Sequence, residues 1–434
     1  MGTDRDHRPG ADYARERDDA DPLAAFRDRF DVPDDYYMDG NSLGAVSEAA
    51  AASLHEAVDE WRELGIRGWT DADPPWFWYG ERLGDELAPL LGAREEEVVV
   101  ANSTTVNIHT LVGTVLDELA RERPAAPRGV LVNELDFPTD HYAIRAQLRQ
   151  RGLDPDEHLH LVESRDGRTI AAEDVVAAMD EHNVGLAFMP SVLYRSGQLL
   201  DVERITAAAH KRDVLAGFDL AHSVGVVPHN LSDVGVDFAV WCSYKYLNAG
   251  PGAIAGLYVN ERHFGATPAL AGWWGHDKET QFEMNLEFTP ADTAGAWQIG
   301  TVPVFSAAPL FGALEVVRDA GIAAVREKSL ALTSYLVHLV DERLSDVGCS
   351  VGTPRADDRR GGHVAVEHPE AYRLSQALRD RGVVVDYRPP DVVRVCPAPL
   401  YTGFEDVRKV VEILREIIAE SAYEAYEPEG ESVT

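Results

Sequence analysis

The stretch Asp237-Phe238-Ala239-Val240-Trp241-Cys242-Ser243-Tyr244-Lys245-Tyr246-Leu247-Asn248-Ala249-Gly250-Pro251-Gly252 decides the fold. An apolar run, with the length and the β-branched and aromatic content of a buried strand, ends in a polar tip and a Gly-Pro-Gly turn. The tip carries Lys245. The chain has only five lysines, Lys211, Lys245, Lys278, Lys328 and Lys409, against 35 arginines. Four lie among polar or charged neighbours, and only Lys245 follows a core strand. Withdrawing a lysine from water disfavours its charged form and leaves a nucleophilic amine, which condensation with a carbonyl requires. A strand-end lysine that reaches back to solvent gives the same sequence.

Outward from this stretch, strands and helices alternate. Runs at Val98–Val100, Gly129–Val132, Leu186–Met189, Val214–Leu220, Phe238–Ser243 and Ala253–Val259 read as strands, with helices at 103–116, 173–182 and 202–212. Such alternation predicts α/β architecture, with a mostly parallel central sheet covered by helices. Beyond residue 310 the pattern becomes one long helix over 308–346, helices at 370–381 and 404–422, and short strands near 363–367, 383–387 and 392–396. We read three parts: an N-terminal segment (1–65) that packs on the small domain or a partner subunit, a large domain (66–310) and a smaller α+β C-terminal domain (311–434). Ser47 suits the cap of a helix over 48–64. Residues 1–20 and 421–434 read as frayed ends.

Ligands bind such sheets at the carboxyl ends of the strands, so the polar residues there should converge. After the first strand come Ser103, Thr104 and Thr105, opening a helix: an anion site or an ordinary cap. Asp136-Phe137-Pro138-Thr139-Asp140 offers an aromatic to stack on a flat ring, or only a turn. Pro190-Ser191 and Asp219-Leu220-Ala221-His222 follow later strands. A carboxylate in an apolar run is costly unless it meets a cation. A protonated pyridine nitrogen would serve Asp219; so would a buried arginine. A carbonyl-binding lysine, a pyridinium-pairing aspartate, a stacking Phe and a hydroxyl-rich helix start are the parts of a pyridoxal phosphate site.

Composition narrows the rest. A formal net charge of -34, from 74 acidic and 40 basic residues, speaks against nucleic acid or an anionic membrane as a partner. The excess of acid, and of arginine over lysine, suits high salt, so a halophilic source is expected. Cys242, Cys349 and Cys396 give neither a disulfide framework nor a metal-ligand spacing. No apolar leader or membrane span is visible, and a cytoplasmic protein with no metal is expected. Four of the eight tryptophans lie between residues 61 and 78, as loop packing or as the wall of an aromatic pocket.

Five motifs carry a family resemblance: Asp39-Gly40-Asn41-Ser42-Leu43-Gly44, Phe137-Pro138-Thr139-Asp140, Phe218-Asp219-Leu220-Ala221-His222, Trp241 to Asn248, and Gly272-Trp273-Trp274-Gly275-His276. Over residues 36–405 the chain resembles kynureninase, a fold-type I, class-V-aminotransferase-like pyridoxal phosphate enzyme. The resemblance implies hydrolysis of L-kynurenine to anthranilate and L-alanine in tryptophan catabolism and NAD biosynthesis. It implies that Lys245 binds the cofactor and moves the substrate α-proton, and that Tyr244 touches the phosphate and acts as acid/base. Asp219 pairs with the ring nitrogen, His222 and Asp140 lie beside the ring, and Phe137 stacks on it. Thr104 and Thr105 hold the phosphate. Trp273 and Thr301 reach the cofactor of a partner subunit, so a homodimer is implied. Arg394 holds the substrate carboxylate and Trp69 lines its ring pocket; Trp69 and Thr301 favour kynurenine over its 3-hydroxy relative. Where relatives place Ser or Thr near the cofactor this chain has Pro190, with Ser191 one step later: either the loop shifts and Ser191 makes the cofactor contact, or that contact is missing. Rival readings are another class-V enzyme, an aminotransferase or cysteine desulfurase, and a catalytically inactive binding relative.

Overall fold

Apolar runs of three to seven residues assemble a seven-stranded sheet in the computed structural model, which describes residues 7–33, 35–124 and 126–428. Its strands are β1 (Val98–Val100), β2 (Gly129–Asn133), β3 (Leu159–Val162), β4 (Val184–Pro190), β5 (Leu215–Asp219), β6 (Phe238–Cys242) and β7 (Ala255–Val259). The order is β1-β7-β6-β5-β4-β2-β3. Neighbours from β6 to β3 run parallel, while β7 is antiparallel to both β6 and β1. Apart from β3 these strands are buried along their whole length. A sheet covered on both faces permits continuous Val, Ala, Leu and Phe without polar alternation. Two apolar clusters, one on each face, separate Trp241 and Phe218 from Phe188 and Phe238.

The N-terminal residues form two packed helices, α1 (Ala11–Asp19) and α2 (Glu48–Leu64). Helix α1 lies within the start that read as frayed, and its Tyr13 and Ala14 are buried. Ser47 caps α2 by accepting from Ala50 N at 3.1 Å. Helices α3 (Tyr79–Leu91), α4 (Thr104–Glu122), α5 (Pro138–Gln150), α6 (Ala172–Glu181) and α7 (Val202–His210) follow. Helix α5 escaped the sequence reading because it starts directly after a strand-end turn. Pro138 at its first position has no N–H to lose there.

The helix expected over 308–346 is two: α8 (Val304–Ala320) and α9 (Ile322–Arg343). Gly321 divides them at φ 74°, ψ 125°, a conformation that other residues rarely adopt. Strands β8 (Ser350–Val351), β9 (Val364–Glu367), β10 (Asp386–Arg388) and β11 (Val392–Val395) form an antiparallel sheet of order β8-β9-β11-β10. Helices α9, α10 (Ala371–Arg379) and α11 (Phe404–Ala419) enclose its core of Leu332, Leu336, Leu374, Val407 and Leu414. Helix α1 packs on α11, and Tyr36–Tyr37 pairs with Val383–Val384, whereas α2 packs on α8. Among the described residues no helix is long and apolar enough to cross a membrane.

Candidate active site

A cavity of about 270 Å³ opens where the carboxyl ends of β1, β2, β4, β5 and β6 meet β10 and β11 of the second sheet. Thr104, Thr105, Phe137, Asp140, Asp219, His222, Tyr244, Lys245 and Arg394 all line it. Parallel strands bring the residues after them to one edge, so Thr104 to Lys245 share one wall, and Arg394 reaches it from the second sheet.

The amine of Lys245 lies 2.9 Å from Nε2 of His222. Lys245 itself is only half-buried; the side chains of Lys278 and Lys328 are withdrawn further from water, and each is held by an acid, Glu81 at 2.5 Å and Asp21 at 2.6 Å. The loop bearing Lys245 is fixed from behind: Gly44 N donates to the Tyr244 carbonyl at 2.8 Å. A Cβ at Gly44 would collide with the Lys245 carbonyl and with Asn248. The Asp39–Gly44 motif therefore braces the lysine loop through its backbone.

Two buried carboxyls, Asp219 and Asp140, share the cavity with this amine, and a third, Asp136, lies close enough to act on both. Asp219 Oδ1 accepts from Ala221 N at 2.7 Å. Asp136 accepts from the backbone and side chain of Asn133. Both oxygens of Asp140 are buried without a hydrogen-bond partner, as is Nδ1 of His222. Burial pushes all three acids upward; the charge of Asp219 adds to the rise at Asp140, and Lys245 opposes it. Burial, and then the charge of Lys245, hold His222 well below the ordinary imidazole range. Orphaned acid oxygens in a cavity with one amine fit a ligand that brings positive charge, as a protonated pyridine ring does. The opposite end suits an anion. Helix α4 starts without a side-chain cap at Ser103, leaving its first amides to a ligand. Thr105 Oγ1 lies beside Thr139 Oγ1 at 2.8 Å. Phe137 is 47% exposed on the cavity wall, edge-on to Tyr194 at 5.3 Å.

Four expected residues lie elsewhere. Ser191 is fully buried but turned away: its Oγ bonds the Asp219 carbonyl at 3.2 Å and Ser223 Oγ at 2.6 Å, while Pro190 and Val192 line the cavity. The ring of Trp69 packs against Trp76 and Trp274, at 5.7 and 5.5 Å. Trp273 and Thr301 are exposed and outside this chain's cavity. Three residues were missed. Asn41 and Ser42 sit in a motif whose glycines drew the reading toward a turn. Arg388 sits in a short strand, signalled only by Asp-x-Arg before Arg394. Cys242, read as a core residue, also touches the cavity. All three cysteines are buried, and burial pushes Cys349 and Cys396 up to about 12 and raises Cys242. None has the low-pKa, accessible setting of a nucleophilic thiol.

A sequence profile of the kynureninase C-terminal domain matches residues 325–414. The chain is 49% identical to kynureninase of Geobacillus thermodenitrificans and 48% identical to that of a Bacillus cereus strain, over 98% of each chain. Among solved structures it superposes on the apo cysteine desulfurase of Thermococcus onnurineus NA1 with a TM-score of 0.74 and 17% identity, covering 94% of this chain and 98% of that one. It superposes as well on a C-DES mutant with glycine covalently linked to the PLP cofactor, with TM-score 0.74, 16% identity, and 89% and 98% covered. The architecture is that of fold-type I pyridoxal phosphate enzymes.

Proposed function

The chain belongs to the kynureninase family, and we propose from that premise how its cavity carries out the pyridoxal-phosphate-dependent hydrolysis of L-kynurenine to anthranilate and L-alanine. When bound, the cofactor supplies an electron sink next to the amino-acid nitrogen. Lys245 is its attachment point and afterwards moves the substrate α-proton. Asp219 keeps the ring nitrogen protonated, with Asp140 and His222 beside it and Phe137 against a ring face. The α4 amides, Thr104 and Thr105 receive the phosphate. Tyr244 gives a proton to the γ-carbonyl oxygen as water adds and takes one back as the resulting hydrate collapses and the Cβ–Cγ bond breaks. Arg394 orients the α-carboxylate.

The single observation that carries this reading is the shared cavity of Lys245 and the buried, unpaired acid Asp140, with Asp219 on the same wall. A homodimer belongs to the same proposal, with Trp273 and Thr301 serving the partner's cavity. Large apolar side chains left exposed on one chain, Trp61, Trp78, Trp273, Phe282 and Phe305, support a covering partner. Ser191 and Trp69 keep the roles proposed for them only if a bound ligand moves them toward the cavity. The three-part division at about residues 65 and 310, a cytoplasmic setting, a place in NAD biosynthesis and a halophilic source complete the proposal.

Incubation with L-kynurenine should yield anthranilate fluorescence, and borohydride should fix the cofactor on Lys245 alone. Amino transfer to pyruvate or 2-oxoglutarate without anthranilate, or an adduct on another lysine, would overturn the reading.

A further inference from the structure

The family resemblance implies that Arg394 clamps the substrate carboxylate. In the folded chain its fork is already taken. Asp386 and Arg394 stand directly opposite each other on β10 and β11. Arg394 Nε donates to Asp386 Oδ1 at 2.6 Å, and Nη2 donates to Asp386 Oδ2. Nη2 also donates to Ser42 Oγ at 2.7 Å, and Nη1 to the Tyr194 carbonyl at 2.8 Å. Of the five guanidinium hydrogens, one on Nη1 is left over.

Asp386 is fully buried and off the cavity wall, and it accepts a further bond from Ser42 Oγ at 2.9 Å. Displacing it would strand a buried carboxylate, which is strongly unfavourable. Arg388, two residues along β10 and hence on the same face, lines the cavity beside Arg394. Its Nη2 lies 2.8 Å from Asp386 Oδ2, and its Nε is buried with no partner. Two arginines thus share one carboxylate, leaving a surplus positive charge at the cavity. Asp39 also lies near, but burial and the charge of Asp386 push it up to about 7, so near neutral pH it is only partly ionised and leaves part of that surplus uncompensated.

We propose that the substrate α-carboxylate is bound between Arg388 and the remaining Nη1 hydrogen of Arg394, with Asp386 as the positioning residue that aims both. The inference rests on the amino-acid substrate of the function proposed above. Arg388 is then a substrate-binding residue in its own right, and the Arg394–Asp386 pair is its rigid backing.

The test uses holoenzyme titrated with L-alanine, the product amino acid, and with ethylamine, the same skeleton without the carboxylate, followed by cofactor absorbance. In Arg388→Gln the dissociation constant for L-alanine should rise about tenfold or more, the worth of a charge-assisted hydrogen bond. Ethylamine binding and cofactor content should stay as in the unmodified enzyme. Arg388→Lys, which keeps the charge but loses the fork, should weaken L-alanine by a smaller factor, and it decides the matter if the Gln variant fails to fold. Unchanged L-alanine binding in the variants that fold, or equal weakening of both ligands, overturns the proposal. If the unmodified enzyme makes no anthranilate from L-kynurenine, the functional reading fails, while the alanine and ethylamine comparison still judges Arg388.

Discussion

Tyr244 precedes Lys245 on the same loop and lines the same cavity. Burial, and then the neighbouring Cys242, push its phenol above the ordinary range. At neutral pH it therefore holds its proton, which suits a donor to a carbonyl oxygen better than a base. Tyr244→Phe should lower kcat of the cofactor-saturated enzyme by about 10²–10⁴-fold, the usual worth of a positioned acid. Stopped-flow turnover of L-kynurenine checks this; a loss confined to KM would remove the role. The neighbouring Lys245 differs from Lys278 and Lys328 in its partner. A carboxylate pairs with each of those amines, whereas Lys245 meets the imidazole of His222.

At the scale of elements, the far end of β6 is pinned as firmly as its active end is open. Asp237, fully buried just before β6, meets His210 Nε2 at 2.9 Å and His263 Nε2 at 2.8 Å, and accepts from Ala216 N at 2.7 Å. It thereby ties β6 to α7, to the start of β5 and to the turn after β7. Burial opposes charge on His263, but Asp237 and Glu118 outweigh it and push the imidazole up to about 9. The folded value lies above the unfolded one, near 6.5. The stabilisation is therefore complete below about pH 6.5 and is lost as pH rises through 9, on the order of 3 kcal/mol in all. His263→Gln should lower the thermal midpoint at pH 6 and converge on the parent above about pH 9.5, measured by calorimetry across pH. A pH-independent difference would assign the loss to packing instead.

Across the whole molecule, 74 acidic and 40 basic residues give a net charge of -34, and like charges at that density repel one another in the folded state. Raising ionic strength from 0.1 to 1 M shortens the screening length from about 10 to about 3 Å. The thermal midpoint should therefore rise with potassium chloride, followed by circular dichroism; a flat response would mean that the surface ion pairs already balance the repulsion. The same surface leaves Trp61 against Phe305 with ring centres 5.6 Å apart, both exposed. Charge disfavours association there, so any partner must rely on this apolar area.

The sequence by itself determined the parallel core and which residues stand at its strand tips. Apolar strands followed by polar tips are a local pattern, and β6 with Lys245, β5 with Asp219 and the opening of α4 could be read from it. It also determined the family, because the motifs around those tips are contiguous. Only the tertiary structure decided what lies opposite each tip. The half-exposed β3, the helix α5 and the division of α8 from α9 at Gly321 depend on neighbours or on one backbone angle. The turning of Ser191 toward Ser223 and the engagement of Arg394 by Asp386 join residues far apart in sequence or on separate strands. A sequence records which groups are present, and the free hydrogens of an arginine depend on which acid the fold places across from it.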